Sequence, residues 1–307
     1  MNRSKSLELL IENFSKRRPI RGGSLIITVY GDAIVPRGGT VWLGSLIKLL
    51  EPLGLNQRLV RTSVFRLTQE DWLSAEQVGR RSFYSLTGSG RRRFEQAFKR
   101  VFAAHYPDWD GKWMQVLLSQ VALEKRKQVR EQLQWLGFGS LAPTLLLHPQ
   151  ADPTEVKTTL QDLGVLDDAI IFSTLAEELT TSRAMRLQVK ECWNLDGLSQ
   201  HYELFLSQFR PVWQEFSQQD RLEPQACFMA RTLLAHEYRK ILLSDPLLPE
   251  ALLPGDWEGR AARQLCRNLY RLIWEPAEQH LQATLENADG PLPEPDARFY
   301  QRYGGLR

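Results

Sequence analysis

A break at Pro52 and Gly54, between two helix-like segments, is the feature that most constrains how this chain can fold. Residues 41–50 have a helical apolar pattern with Thr40 as the predicted cap, and proline and glycine commonly follow a helix terminus. Asn56 is a suitable N-cap for the next helix, at residues 57–68. Helix, short glycine-containing turn and helix is the helix-turn-helix pattern. An apolar segment before them, residues 24–35, is predicted to be a further helix.

The helix at residues 57–68 separates into two faces when its residues are placed at about 100° intervals. Val60, Val64 and Leu67 form an apolar stripe that predicts packing against the core. The opposite face carries candidate DNA contacts: Arg58, Arg61, Thr62 and Phe65, with Arg66 at the flank. Arginine recognises guanine in the major groove, and methyl or aromatic groups contact thymine, whereas the flanking Arg66 is better placed for phosphate. An ordinary solvated face stays open as the alternative.

Two short β-prone runs follow this helix and flank the segment Val78-Gly79-Arg80-Arg81. They predict a β-hairpin with paired arginines, Arg80 and Arg81, at its tip. A hairpin directly after a recognition helix makes a winged helix-turn-helix, and we expect both arginines to contact the DNA backbone or the minor groove. A very basic helix begins near Gly88, with Arg91, Arg92 and Arg93 in its first turns. These arginines could contact phosphates or only keep the protein soluble, and the sequence favours neither role.

Charge is divided unevenly along the chain. Residues 1–104 contain 18 Lys and Arg against 8 Asp and Glu, a net charge of +10, while residues 105–307 carry −7. Such an asymmetry suggests that the first third faces a polyanion, with DNA, RNA and anionic lipid all open on charge alone. No apolar stretch reaches the roughly 18 residues of a membrane span, and no secretion signal is visible, so we expect a cytoplasmic protein without a membrane partner.

The remaining two thirds change character at Trp193. Short strands and helices alternate between residues 113 and 172, which predicts a ferredoxin-like α/β sandwich. After Trp193 three helical segments follow, at residues 198–218, 223–243 and 260–285. The predicted fold class is α+β and multidomain: a winged helix-turn-helix, a ferredoxin-like (Cas2-like) sandwich and an all-helical C-terminal domain. The predicted divisions are a basic arm at 1–21, the winged-helix domain at 22–104, the middle domain and candidate dimerisation domain at 105–190, the helical domain at 191–286 and a proline-rich, loosely attached tail at 287–307.

Several sequence segments, in order along residues 22–285, resemble the phenylacetic acid degradation operon repressor (PaaX) family. They are GGS at 22–24, the apolar run 25–31, NQRLVRTSVFRL at 56–67, WL at 72–73, GRRSFYSLT at 79–87, HEYR at 236–239, DPLLP at 245–249 and LLPGDW at 252–257. One departure is Asp71, where the family pattern leads us to expect glycine before the Trp-Leu pair. The resemblance implies a bacterial homodimeric repressor that binds operator DNA of aromatic-acid catabolism genes and is released by phenylacetyl-coenzyme A.

An acyl-coenzyme A effector needs cations for its phosphates and aromatic side chains for its acyl or adenine groups. His236 and Arg239 share one helix face and are the candidate cations. The candidate aromatic contacts are Trp193, Tyr202, Tyr238 and Trp257. A salt-bridge network of His236, Arg239 and Asp245 is the structural alternative, and the aromatic residues equally fit a core.

Catalytic and metal-binding patterns are missing from the sequence. The five histidines are scattered singly, and Cys192, Cys227 and Cys266 are spaced too widely for a metal site. We therefore predict no enzyme, no metal and no cofactor. A Cas2-like metal-dependent nuclease remains as an alternative from another class, although the strand at 113–118 ends in Ser119 and Gln120 without a carboxylate. RNA binding by the basic first third is the other alternative. It is disfavoured because Phe83 and Tyr84 adjoin a predicted wing and do not form a sheet on which bases could stack.

Overall fold

The computed structural model describes residues 4–17, 22–102, 109–175 and 183–306, which fall into two compact units. The first unit comprises residues 1–104, 203–240 and 259–307, and the second comprises 105–202 and 241–258. The sequence predicted a separate helical domain at 191–286, whereas most of those helices pack in one unit with the N-terminal third. The sequence does not reveal this arrangement, because the first unit is built from three segments of the chain that are separated by segments of the second unit. The predicted boundary between 104 and 105 lies outside the described residues.

The first unit begins with a packed helix. Within the predicted arm, helix α1 (Lys5–Ser15) is capped by Ser4 and buries Leu7, Leu10 and Phe14. Helix α2 (Gly22–Val29) follows, and a π-helical turn at Tyr30–Ile34 continues it. The sequence had predicted one helix across residues 24–35; the change to π-helical geometry is a local departure of the kind that sequence periodicity does not report.

A three-stranded antiparallel sheet organises the next part of this unit. Its strands are β1 (Thr40–Trp42), β2 (Leu73–Val78) and β3 (Arg81–Leu86), in the order β1-β3-β2. The prediction that Thr40 caps a helix starting at Val41 was wrong, because Val41 pairs with Tyr84 of β3 and helix α3 (Leu43–Leu50) begins only after the strand. Pairing with a distant strand overrode the local helical pattern. Helices α4 (Gln57–Gln69) and α5 (Gly88–Val101) flank the hairpin.

Long helices and the chain's last residues complete the first unit. They are α9 (Leu195–Ser217), α10 (Pro224–Leu242), α11 (Glu258–Thr284), the strand pair β8 (Glu286–Asn287) and β9 (Gly290–Pro291), and α12 (Ala297–Tyr300). Most of α9 and most of α10 belong to this unit. The expected loose tail is instead packed: Phe299 and Tyr303 are buried, and the Tyr303 backbone amide donates to the Phe102 carbonyl at 3.1 Å. Their apolar surface is the physical reason for this attachment.

The second unit is built around a four-stranded antiparallel sheet. Its elements in chain order are β4 (Lys112–Leu117), α6 (Leu123–Trp135), β5 (Gly139–Ala142), β6 (Leu145–His148), α7 (Pro153–Asp162), β7 (Ile170–Leu175) and α8 (Arg183–Cys192). The strand order β5-β6-β4-β7 with two crossing helices is the β-α-β-β-α-β arrangement of ferredoxin-like folds. Met114, Val116 and Leu146 of the sheet pack with Val129 and Leu160 of the helices. Helix α8 had no predicted counterpart.

None of the helices in the described ranges is both long and apolar enough to cross a membrane.

Candidate nucleic-acid interface

Helix α4 buries its apolar face against the core, and this packing leaves the opposite, predicted DNA-binding face exposed. The Asn56 side chain caps the helix by accepting a hydrogen bond from the Leu59 amide at 2.9 Å. Val60, Val64 and Leu67 are buried, as the apolar stripe predicted. The residues predicted to face DNA are all exposed: Arg58, Arg61, Thr62, Phe65 and Arg66. Phe65 is 63% exposed, so its ring is accessible beside the arginines of this face.

Helix α2 lies close behind α4 because Gly22 lacks a side chain. A Cβ atom at Gly22 would lie 2.6 Å from the Ser63 hydroxyl oxygen, which is closer than such atoms approach in proteins. Ser63 belongs to the buried side of α4. The glycine therefore permits the contact that fixes the direction of the exposed arginine face.

The hairpin after α4 presents one arginine at its tip. Val78 of β2 pairs with Arg81 of β3, so Gly79 and Arg80 form a two-residue turn. Gly79 has φ +60°, while Arg80 does not have a positive φ, the pattern of a type II′ hairpin turn. Arg80 is exposed at this turn. Its position suits contact with a polyanion that lies beside α4.

Arg81 is anchored within the protein, unlike Arg80. Its Nη1 lies 2.8 Å from Oε2 of Glu286 in β8, and its guanidinium carbon lies 4.2 Å from the centroid of the Trp42 ring. The Glu286 amide in turn donates to the Ser45 hydroxyl at 3.2 Å. Arg81 is still 52% exposed. It therefore holds the hairpin against β1 and the C-terminal strand while part of its side chain remains at the surface.

Arg239, predicted to bind an effector, lines a cleft together with α4 residues. The cleft has a volume of about 750 Å³ and includes Arg58, Thr62 and Arg66. Arg239 is only 7% exposed, and its Nη2 donates to the Ser24 hydroxyl at 2.8 Å and to the Ser24 carbonyl at 3.1 Å. Burial lowers the pKa of Arg239 from its ordinary value.

His236 is a buried histidine that is not among the residues lining this cleft. It is 3% exposed, and its Nδ1 lies 3.0 Å from the Thr28 hydroxyl. Its ring meets the Phe14 ring edge-on at 5.7 Å. Burial, with Arg239 as a neighbouring cation, holds the pKa of His236 well below its ordinary value. Burial and the neighbouring cations therefore favour the neutral ring, and a role of His236 as a cation for an effector phosphate stays a prediction.

The predicted aromatic contacts occupy packed positions within their own units. In the second unit, Tyr202 donates a hydrogen bond to Asp245, and its ring packs edge-on against Trp257 at 5.7 Å. Trp193 donates from Nε1 to the Gly137 carbonyl at 2.8 Å. Tyr238, in the first unit, is buried against Phe205. Within the first unit Arg239 donates to Ser24, and within the second unit Asp245 accepts from Tyr202.

The sequence reasoning missed a buried charge network in the first unit. Asp32, on the π-helical turn after α2, accepts from Arg231 at 2.7 Å, Tyr270 at 2.7 Å and Arg302 at 3.0 Å. Arg231 also contacts Glu278, at 2.5 Å. A signal was present, since Asp32 and Arg231 each interrupt a run of apolar residues where a charge is retained only if it is paired.

Arg37 extends the network to the residues just after the π-helical turn. It forms an ion pair with Glu278 and donates to the Ala33 carbonyl at 2.6 Å. Burial lowers the pKa of Arg37 to about 10. These contacts fix the chain behind α2, and α2 in turn supports α4. Among the described residues, no three His, Cys, Asp or Glu side chains are grouped to hold a metal ion.

Comparison with known sequences finds three family models along the chain, in order. The models are "PaaX-like protein" at residues 21–90, "PaaX protein central Cas2-like domain" at 106–186 and "PaaX-like protein C-terminal domain" at 193–283. Together they cover most of the sequence. The middle match agrees with the sheet order of the second unit.

A curated relative extends the similarity over nearly the whole chain. "Transcriptional repressor PaaX" from Escherichia coli (strain K12) is 41% identical over 301 residues, which cover 98% of this chain and 95% of the relative. Among solved structures, an uncharacterized protein from Mycobacterium tuberculosis aligns with a TM-score of 0.51 at 17% identity, covering 77% of this chain and 89% of that one. At this identity the structural match supports the fold alone.

Proposed function

Because the chain belongs to the PaaX family, we propose that it represses transcription by binding double-stranded operator DNA. The observation that carries the proposal is the exposed face of α4, with Arg58, Arg61, Thr62, Phe65 and Arg66 on one side of a capped helix. Its relative is a repressor and not an enzyme, and the chain is assigned no catalytic activity. The nuclease and RNA-binding alternatives are not favoured.

In this proposal α3, α4 and the β2–β3 hairpin act as a winged helix-turn-helix. Helix α4 enters the major groove, where Arg58 and Arg61 read base edges, while Arg66 and Arg80 contact phosphates. Arg81 positions the wing through Glu286 and Trp42 and adds a backbone contact from its exposed part. Arg81 can do both because its side chain is still 52% exposed while it contacts Glu286.

We propose further that two copies bind one operator. A single α4 face covers too few base pairs for typical operator affinity, and a two-fold dimer doubles the contact. As the family resemblance implies, the regulated genes encode enzymes that degrade aromatic acids such as phenylacetate. The effector that releases the repressor from DNA is phenylacetyl-coenzyme A.

Selection of bound duplexes from a random library tests the DNA-binding proposal. We expect enrichment of a near-palindrome whose half-sites are about 10 base pairs apart, or a multiple of that distance. The mass of the complex in solution should correspond to two chains per duplex. Absence of sequence preference would contradict operator recognition, and a complex of one chain per duplex would contradict the dimer.

Release by the effector is tested on the selected duplex. Phenylacetyl-coenzyme A should raise the melting temperature of the free protein, because a ligand that binds the native state stabilises it by mass action. It should also lower the affinity for the duplex. Free phenylacetate serves as the control, and an effector that leaves both quantities unchanged would contradict this part of the proposal.

A further inference from the structure

A small cavity lies within the second unit, between helix α8 and the face of the four-stranded sheet opposite α6 and α7. Met114 and Val116 of β4 pack with α6 and α7. Trp113 and Gln115 alternate with them along the strand and therefore face the other side, where α8 lies. Residues of all four strands and of α8 line the cavity, which has a volume of about 80 Å³.

The walls of this cavity are mainly apolar and carry no charge. Trp113, Leu147 and Val189 are buried, and the ring centroid of Trp193 lies 6.2 Å from that of Trp113. Among the described residues, those that line the cavity include no lysine, arginine, histidine, aspartate or glutamate. An ionised occupant would lose its hydration without gaining an opposite charge, so the lining favours a neutral molecule.

The volume limits the occupant to a few heavy atoms. An apolar cavity of about 150 Å³ holds one benzene molecule, while a single water needs only about 10–15 Å³. The space of about 80 Å³ therefore suits a molecule larger than water and smaller than benzene. Leu141 of the lining is 40% exposed, so one wall of the cavity reaches the surface and provides a way in.

One polar atom of the lining has no partner. Trp113 is only 2% exposed, and its indole Nε1 is buried without a hydrogen-bond acceptor in the part of the chain that the structure describes. The other indole of the lining, that of Trp193, donates from Nε1 to the Gly137 carbonyl at 2.8 Å. A buried N–H group without an acceptor is costly, and an indole can only donate. A bound molecule that offers an acceptor oxygen would remove this cost.

The other polar side chains of the lining already bond within the protein. Gln115 donates from Nε2 to the Thr174 hydroxyl at 2.7 Å, and Gln188 donates from Nε2 to the Cys192 Sγ at 3.4 Å. The Cys192 thiol in turn donates to the Ser140 carbonyl at 3.2 Å, and burial raises its pKa, so it is a poor nucleophile. A buried water needs about two to four polar partners. A single donor in an apolar space therefore suits a molecule with one acceptor and an apolar body better than it suits water.

We propose that this cavity binds a small neutral carbonyl compound, a ketone, aldehyde or ester of about four heavy atoms. Its oxygen accepts a hydrogen bond from Trp113 Nε1, and its apolar part packs against Leu147, Val189 and Trp193. Binding is non-covalent and stabilises the contact of α8 with the sheet. All the lining residues belong to the second unit, so this inference goes beyond the proposed function and does not depend on it.

The test is a titration of the full chain with acetone, followed by proton–nitrogen correlation NMR of the indole N–H groups. The chain contains nine tryptophans, and Trp113→Phe identifies the Trp113 signal by its loss. A hydrogen bond to acetone should move this signal downfield and saturate with a Kd of about 1–10 mM, a range set by the few atoms of the ligand. The indole signal of Trp135, which is 77% exposed, is the control and should not saturate. A Trp113 signal that stays unchanged throughout this range overturns the site.

A second ligand tests the hydrogen bond on the unaltered chain. Isobutene has the shape of acetone with a methylene group in place of the oxygen. It should enter the same cavity, but it should not move the Trp113 indole proton downfield, because it offers no lone pair. If isobutene and acetone move the signal alike, the proposed hydrogen bond is refuted.

Val189→Leu tests whether acetone occupies the cavity itself. The added methylene group fills part of the space, so the affinity for acetone should fall about tenfold or more. Leu187→Val is the matched control, since Leu187 is a 50% exposed residue of α8 outside the lining, and it should leave the affinity unchanged. Equal affinities of the Val189→Leu variant and the original chain would place acetone elsewhere and overturn the proposal.

Discussion

At the scale of single residues, the arginines of the α4 and wing surface have different environments and therefore different expected roles. Arg58 and Arg61 are exposed on one helix face, and Arg80 is exposed at a hairpin tip. Arg81 is tied to Glu286 and Trp42. A side chain that reads bases affects specificity, whereas one that contacts phosphate affects all duplexes equally.

Replacement of Arg58 or Arg61 by Ala should reduce operator affinity by about 1–3 kcal/mol and relax the base preference at one position. Arg80→Ala should weaken operator and random duplex alike and lower the dependence on log salt concentration by about one. Fluorescence anisotropy at several salt concentrations measures both effects. Arg210→Ala, on α9, is the matched control. Equal losses on operator and random duplex for Arg61→Ala would refute its role in reading bases.

His236 makes the stability of the first unit depend on pH. Its pKa is held well below the ordinary value of 6.5 in the folded protein, chiefly by burial and next by Arg239, Lys240 and Arg17. Below about pH 6.5, His236 therefore binds a proton more readily in the unfolded chain than in the folded protein. Stability is retained above about pH 6.5 and falls as the pH drops below that value.

Urea unfolding at pH 7 and pH 5 measures this effect. We expect His236→Gln to lose less stability between the two pH values than the original chain, with a slope difference that approaches about 1.4 kcal/mol per pH unit. His280, whose pKa burial also lowers, stays in both proteins and contributes equally. Identical pH slopes for the two proteins would show that His236 is protonated in the folded state.

At the scale of elements, the turn between α4 and the wing depends on the conformation of Asp71. This residue has φ +56°, in the left-handed region that favours glycine, which explains the family preference noted above. Aspartate tolerates this region better than most residues. Its carbonyl also accepts from the Thr87 hydroxyl at 2.7 Å and from the Ser89 hydroxyl at 2.9 Å, so the same turn fixes the start of α5.

Asp71→Gly should keep the turn and leave the free energy of unfolding within about 1 kcal/mol of its original value. Asp71→Val should lower it by about 1–2 kcal/mol, because a β-branched side chain is strained at positive φ. Thermal or denaturant unfolding measures the difference, and operator affinity should follow it since the turn directs the wing. If valine and glycine are tolerated equally, the left-handed conformation is not required.

At the scale of the molecule, buried charges join segments that are far apart in sequence. Arg231 of α10 lies between Asp32 and Glu278, and all three are buried within the first unit. Removing one member of a buried ion network leaves its partners charged and unpaired, which typically costs about 3–5 kcal/mol. Asp32 lies directly after α2, which packs against α4, the helix that we propose contacts DNA.

Arg231→Met should therefore lower the free energy of unfolding by about 3–5 kcal/mol, and DNA binding should be lost under conditions where the variant unfolds. Chemical denaturation followed by circular dichroism measures the loss. Lys16→Met removes an exposed helical pair with Glu12 and should cost about 0.5 kcal/mol or less. A loss for Arg231→Met as small as that of the control would show that the network contributes no stability.

Local patterns in the sequence determined much of the proposed interface. The 3.6-residue period of α4 separates Val60 and Val64 from Arg58 and Arg61, and this separation depends only on helix geometry. Asn56 and the glycine at the hairpin tip are likewise local signals, since a cap and a turn each involve neighbouring residues. Alternating strands and helices also predicted the α/β sandwich of the second unit.

Contacts between distant segments were decided only by the tertiary structure. Thr40–Trp42 became a strand because β3 offered hydrogen-bonding partners, and the C-terminal residues packed because Phe299 and Tyr303 found a core. Asp32 meets Arg231 and Arg302 across about 200 to 270 residues of sequence. Arg239 likewise reaches the α4 cleft only through the packing of α10 against α2. Periodicity shows which face of an element is buried, but it carries no information about which partner covers that face.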